Sequence, residues 1–220
     1  MNIDRFRNAC AGETVVLVGN GANLAATPPQ CFDYPTIGMN TIHLYPGEWK
    51  PTYYVTVDRR VWREFGDAIL ARFADIPKFV PTPKLLRWRG PNFYRFPQRP
   101  GRLYSSKWDR SIWQEDISQV GVTYVNVMHV AIKLAYFMGF TTILVIGMEH
   151  KPHNARTHFW GEDAGMQSPD ANLVEIFDGY KQLRLNLEAR GRTILNISEG
   201  TYVPEDILPR QDWRAWKNKE

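Results

Sequence analysis

Glu13-Thr14-Val15-Val16-Leu17-Val18-Gly19-Asn20-Gly21-Ala22-Asn23-Leu24 carries the strongest fold signal in the chain. Val15 to Val18 is an uninterrupted apolar run, too short for a helix core and closed by a glycine pair. It reads as a strand buried on both faces, followed by a tight turn and a short helical start. Strands without an apolar/polar alternation belong to parallel sheets covered by helices on both sides.

The same logic recurs further along the chain. Asn126 to Phe137 has the periodicity of a helix, with Val127, Val130, Leu134, Ala135 and Met138 on its apolar face and Gly139 as its stop. Thr141 to Ile146 is then a fully apolar strand running into Gly147-Met148-Glu149. Helix followed by buried strand is the repeating unit of an α/β sheet. Between these landmarks, Pro35 to Asn40 leads into Thr41-Ile42-His43-Leu44, and Thr52 to Val57 forms a strand ending at Asp58. Val61 to Phe73 carries Trp62, Phe65, Ile69, Leu70 and Phe73 at helical spacing, and Lys78-Phe79-Val80 makes a short strand. Leu173 to Ala189 is the longest helix, and Thr193 to Ile197 the last strand. The expectation is one α/β domain over residues 1–220: a Rossmann-like, open, mostly parallel sheet with helices on both faces. Residues 81–113 are rich in proline, arginine and aromatics without sustained periodicity, and are expected to form an irregular basic insertion or lid. Residues 204–220 form a C-terminal tail, with Trp213 and Trp216 as anchors to the body or to a neighbouring subunit.

At 220 residues and 44% hydrophobic, the chain can bury a sizeable core, and its 23% charge is normal for a solvated surface. No apolar stretch approaches membrane-spanning length, and the first residues lack the apolar segment of a signal peptide. A cytoplasmic protein with Cys10 and Cys31 as reduced thiols is expected. The net charge of +4 is unevenly distributed: eight Lys and Arg lie between Lys84 and Arg110, with Asp109 the only acid among them. Such a field attracts an anionic nucleotide substrate, a nucleic acid or an acidic protein surface.

Several predicted strands end in Gly, Asn, Asp or Glu. In open parallel sheets ligands bind beyond the carboxyl ends of the strands, so Gly19, Asn20, Gly21, Asn40, Asp58 and Glu149 are expected to converge on one cleft, with Asn126 at the start of a helix beside it. Asp58 equally suits a helix cap. Gly19-Asn20-Gly21 lacks the third glycine of a dinucleotide fingerprint and is not followed by Gly-Lys-Ser or Gly-Lys-Thr. This disfavours hydride transfer and Walker-type ATP hydrolysis, while backbone donors at the turn still suit phosphate. The densest polar cluster runs from Glu149 to His158. It offers His158 as a base, Lys151 as a stabiliser of developing phosphate charge and Glu149 as an orienting carboxylate. Glu149, His150, His153 and His158 fit no closed metal-site spacing. His129 is equally a ligand-facing or a core histidine.

The segments Val15 to Leu24, Val127 to Phe140, Ile143 to Glu149 and Arg156-Thr157-His158-Phe159-Trp160-Gly161 together resemble the small bacterial sialyltransferase family. They also resemble a related group described as 6-hydroxymethylpterin pyrophosphokinase-like, with members in bacteria and phages. The first resemblance implies a glycosyltransferase with a modified Rossmann domain, a cytidine-monophosphate-linked sugar donor and no required metal. It implies that Asn20 meets the donor phosphate region, that Asn40 and Asp58 lie by the donor, that Asn126 flanks the nucleotide and that His158 is the general base. The chain departs from the family pattern at Asn126-Val127-Met128, at Glu149 in place of aspartate, and at Lys151 in place of a tyrosine. The second resemblance implies ATP-dependent diphosphate transfer to a pterin-like alcohol with Mg²⁺. A third, non-enzymatic reading takes the basic aromatic segment as a nucleic-acid or protein-binding surface, which the confinement of the charge to one segment disfavours. A homo-oligomer is compatible with all three.

Overall fold

The computed structural model describes residues 2–82, 90–97, 113, 115–119, 122, 124, 126–150, 158–161 and 173–218. Among them run strands β1 (Thr14–Val18), β2 (Thr36–Met39), β3 (Tyr53–Val55), β4 (Lys78–Thr82), β5 (Phe93–Pro97), β6 (Thr142–Ile146) and β7 (Thr193–Asn196). Helices α1 (Arg59–Arg72), α2 (Val127–Met138) and α3 (Leu173–Glu188) complete the core elements, with short 3₁₀ turns between them. The seven strands form one sheet in the order β5-β4-β3-β2-β1-β6-β7. Every neighbouring pair is parallel. This is the open α/β, Rossmann-like architecture that the apolar strands predict.

The order has one reversal. From β1 the chain builds outward through β2 to β5, then returns to place β6 on the other side of β1. The carboxyl ends of β1 and β6 therefore flank the point where successive connections diverge, which is where such sheets bind ligands.

Residue alternation along β1 explains the two layers. Val15 and Leu17 pack with α2 and α3 residues such as Ala131, Leu134, Tyr180 and Leu183. Val16 and Val18 face the opposite side, with Val61, Trp62 and Ile69 of α1. Apolar residues occupy both faces because both are covered. The C-terminal tail joins this second layer: Trp213 packs edge-on to Phe32, its indole N–H donates to Glu199 Oε2 at 3.0 Å, and Asn218 N donates to Cys31 O at 3.0 Å. Of the two partners expected for its tryptophans, Trp213 reaches the body of its own chain.

Within the expected insertion at 81–113, the structure shows a strand. Phe93, Tyr94 and Phe96 are buried, and β5 pairs with β4 from Lys78↔Phe93 to Thr82↔Pro97. Its proline is tolerated because β5 is the sheet edge, where no further strand needs the missing N–H. Residues 83–89 and 98–112 of that segment, including most of its basic side chains, lie outside the described residues. No helix among the described residues is long and apolar enough to cross a membrane.

α2 is buried on nearly all sides and encloses two ionisable groups, His129 and Lys133, both 0% exposed. Burial lowers Lys133 to about 7, and burial, reinforced by the Lys133 charge, lowers His129 to about 3. Burial also lowers His43, with Arg72 adding to the effect, and His150, each to about 4. All four groups take up protons in the unfolded chain at a pH where the folded chain does not. Stability is therefore expected to rise with pH from about 4 to 6.5 through the histidines, and again from about 7 toward 10 through Lys133. Above that range the buried Tyr54 and Tyr180 and the half-buried Tyr53, whose ionisation burial disfavours, reverse the trend. Melting temperatures recorded across this range are predicted to show both rises, and Lys133→Met to shrink the second most, while trimming the first by removing the charge that helps depress His129. A wild-type profile flat between pH 7 and 10 would contradict the burial of a neutral amine.

Candidate active site at the carboxyl edge of the sheet

The glycine turn continues the β1–β6 ladder beyond the strands. Gly19 N donates to Ile146 O and Gly21 N to Gly147 O, both at 2.9 Å. The two backbones approach so closely that a Cβ on Gly19 would stand 2.3 Å from Gly147 O, and one on Gly147 would stand 2.8 Å from Gly19 O. Gly147 also has φ +65°, a conformation side chains other than glycine adopt reluctantly. The glycines thus serve a close backbone contact. The Gly19 and Gly21 amides, expected from the sequence to be donors for phosphate, are occupied by the carbonyls of Ile146 at the end of β6 and of Gly147 just beyond it.

His158 is brought to this turn through the backbone. It forms an antiparallel bridge with Gly21, and Phe159 N donates to Asn20 O at 3.2 Å. Its ring stacks on Trp160, with centroids 4.4 Å apart and planes inclined by 31°. Phe159 packs against Tyr45, which in turn meets Trp49, so an aromatic wall rises beside the turn. Glu149 lies under it. The residue is 3% exposed, and its carboxylate sits against the Gly21 Cα, where a Cβ would fall 1.9 Å from Oε2.

Asn20 and Asn40 form a second group. Asn20 Nδ2 donates to Met39 O at 3.0 Å, which leaves Oδ1 buried without a hydrogen-bond partner among the described residues. The free atom is an acceptor, suited to a hydroxyl or amino group rather than to a phosphate oxygen. Asn40 has φ +48°; its Oδ1 accepts from Thr56 Oγ1 at 2.9 Å and its carbonyl accepts from Tyr54 OH at 2.6 Å. Asp58 caps α1, accepting from Arg60 N at 2.8 Å. Of its two expected roles, the cap is the one its hydrogen bond performs.

Asn126 caps α2: its Oδ1 accepts from His129 N at 3.1 Å, and its Nδ2 donates to Tyr180 OH at 2.7 Å. Both ends of the carboxamide are engaged within the protein, so the residue shapes the helix start rather than reaching outward. His129 is the core histidine of the two alternatives, with Nε2 3.1 Å from Ile176 O. His150, with φ +49°, follows Glu149, and its Nε2 lies 3.0 Å from Tyr180 OH. Lys151, like His153, lies outside the described residues, and among those described no cluster of three or more metal-ligating side chains is present.

The loop after β7 roofs the site. Asn23 Nδ2 donates to Glu199 O at 3.1 Å, Met148 N to Ser198 Oγ at 3.1 Å, and Tyr202 N to Glu149 O at 2.8 Å. The sequence pattern assigned no role to Tyr180, Thr56 or Trp160. The signal for Tyr180 was present: it falls on the apolar face of α3 with Ile176, Leu183 and Leu187, where a buried hydroxyl needs a partner.

Compared with known proteins, the chain matches no family model, no curated protein and no solved structure.

The contact between Gly21 and Glu149 makes a double-mutant prediction. Gly21→Ala is expected to cost about 1–3 kcal/mol of stability in urea unfolding, because the new methyl displaces a buried carboxylate. In a Glu149→Ala background the same change should cost less than about 1 kcal/mol. Equal costs in both backgrounds would contradict the contact.

Proposed function

We propose that the chain is a nucleotide-dependent group-transfer enzyme, a nucleotide-sugar glycosyltransferase resembling the sialyltransferases, with His158 as general base. The observation that carries this reading is the backbone bridge between Gly21 and His158, which sets a histidine beside the glycine turn at the topological switch point of the sheet. An imidazole suits proton transfer near neutral pH.

In this reading His158 takes the proton of an acceptor hydroxyl as that oxygen forms its bond to the anomeric carbon from the face opposite the leaving group. The bond from that carbon to the donor phosphate breaks, and its electron pair leaves with the nucleoside monophosphate. The configuration at carbon inverts. Asn20 Oδ1 accepts from a hydroxyl of the donor, in keeping with its free acceptor. Lys151 supplies positive charge to the departing phosphate, and the wall of Tyr45, Phe159 and Trp160 limits water around the reacting centre. A cytidine-monophosphate-linked donor follows from the family resemblance, as does the absence of a required metal; the cytoplasmic setting proposed from the cysteines and the lack of a signal-type segment suits such a donor.

Melting the protein with millimolar cytidine, uridine, guanosine and adenosine nucleotides, with and without Mg²⁺, tests the reading, because a ligand selective for the folded state raises its apparent stability. A cytidine nucleotide is expected to raise the melting temperature without Mg²⁺. Stabilisation only by ATP with Mg²⁺ would favour diphosphate transfer, and no shift with any nucleotide would sink the proposal. His158→Ala is expected to keep the nucleotide-induced shift while release of cytidine monophosphate from a sugar donor slows by about 100-fold or more. Undiminished turnover would remove His158 from the mechanism.

A further inference from the structure

The hydrogen bonds around Tyr180 can be assigned proton by proton. They begin at a group whose polarity is fixed: the backbone N–H of His129, which donates to Asn126 Oδ1 at 3.1 Å. That bond settles the orientation of the carboxamide, so Nδ2 is the atom facing Tyr180 OH at 2.7 Å and must donate to it. The hydroxyl's own proton then has one remaining acceptor among the described residues, His150 Nε2 at 3.0 Å. An imidazole nitrogen that accepts is unprotonated, so the ring proton of neutral His150 sits on Nδ1. On the other side of Tyr180, His129 stacks edge-on at 4.6 Å and points Nε2 at the Ile176 carbonyl, which only accepts. The two histidines flanking one tyrosine therefore carry opposite tautomers.

We propose that Tyr180 is a positioning residue of the candidate site: oriented by the α2 cap, it holds the His150 proton on Nδ1, so that the turn after β6 presents a hydrogen-bond donor to an acceptor oxygen of an anionic ligand. This rests on the reading of the carboxyl edge as a nucleotide site. His150 directly follows Glu149, whose carboxylate lies against Gly21, so the donor stands on the segment that forms one side of the glycine turn. Nδ1 makes no hydrogen bond to the described residues and is the only ring atom of His150 left for a ligand. Burial keeps the imidazole neutral through the physiological range, leaving its binding capacity to be decided by tautomer rather than by charge. Tyr180 is buried on α3 and acts only through His150 and Asn126.

The test is ¹⁵N NMR of the histidine side chains in the full chain, with His150 assigned by the loss of its signals in His150→Gln. Wild type is expected to show His150 protonated on Nδ1 and His129 on Nε2; His150 protonated on Nε2 would overturn the proposal. Asn126→Asp retains a carboxylate oxygen to cap α2 but replaces the donating NH₂ by an acceptor. Tyr180 then donates to residue 126, and His150 is expected to switch to Nε2–H. An unchanged tautomer would equally overturn the proposal, and because wild type is decisive by itself, a variant that folds poorly does not rescue it. Titration with cytidine monophosphate, and separately with inorganic phosphate, is expected to move the His150 Nδ1 resonance with at least one of them. If cytidine monophosphate stabilises the protein and neither probe moves that resonance, the role of His150 fails while the nucleotide site stands. If phosphate moves it and no nucleotide stabilises the protein, the nucleotide reading fails while the donor role stands.

Discussion

The contact on which the rest of the site depends is the near-touching of two backbones, Gly19 on Gly147, just past the carboxyl ends of β1 and β6. Neither position has room for a side chain, and Gly147 adopts a left-handed conformation as well. The closeness lets the ladder extend as far as Gly21, three residues past the end of β1. Gly21 then serves two neighbours at once: the bridge to His158 along its backbone and the Glu149 carboxylate against its Cα. A side chain at any of the three glycines would push apart elements that otherwise converge.

This arrangement uses the glycine turn differently from a phosphate-binding loop. In such a loop the backbone N–H groups point outward to an anion. Here the Gly19 and Gly21 amides are spent on the Ile146 and Gly147 carbonyls, and the polarity of the site comes from side chains. Asn20 is left with a carboxamide acceptor, Asn126 is committed at both ends, and the His150 proton is set by Tyr180. Two surrounding layers hold these groups still, one of α2 and α3, the other of α1 with the C-terminal aromatics. The same burial that fixes the network suppresses the charges of His129, His150 and Lys133, so the fold favours alkaline over acidic conditions.

The fold was legible because its signal is local. Four apolar residues at Val15 to Val18 state that both faces of a strand are covered, and a helix leading into Thr142–Ile146 repeats the statement. β5 was less visible because its apolar residues, Phe93, Tyr94 and Phe96, sit among prolines and arginines, and an edge strand needs neither alternation nor freedom from proline. At the site, sequence reading identified residues at strand ends, since sheet topology gathers those automatically. It did not foresee which of their atoms are free, because that depends on partners distant in sequence: Asn126 meets Tyr180 across 54 residues, and Asn20 meets Met39 across 19. Asp58 shows the reverse, a strand-end acid whose nearest amide, two residues on, claims it as a cap.

The proposed ligand site is the carboxyl edge between β1 and β6, and two-dimensional amide NMR of the ¹⁵N-labelled protein titrated with cytidine monophosphate locates it. Saturable shifts are expected to centre on Gly19 to Gly21, Gly147 to His150 and His158 to Gly161, with the amino edge of the sheet at Thr14, Thr142 and Thr193 unmoved. Saturable shifts centred elsewhere, with the glycine turn silent, would contradict it.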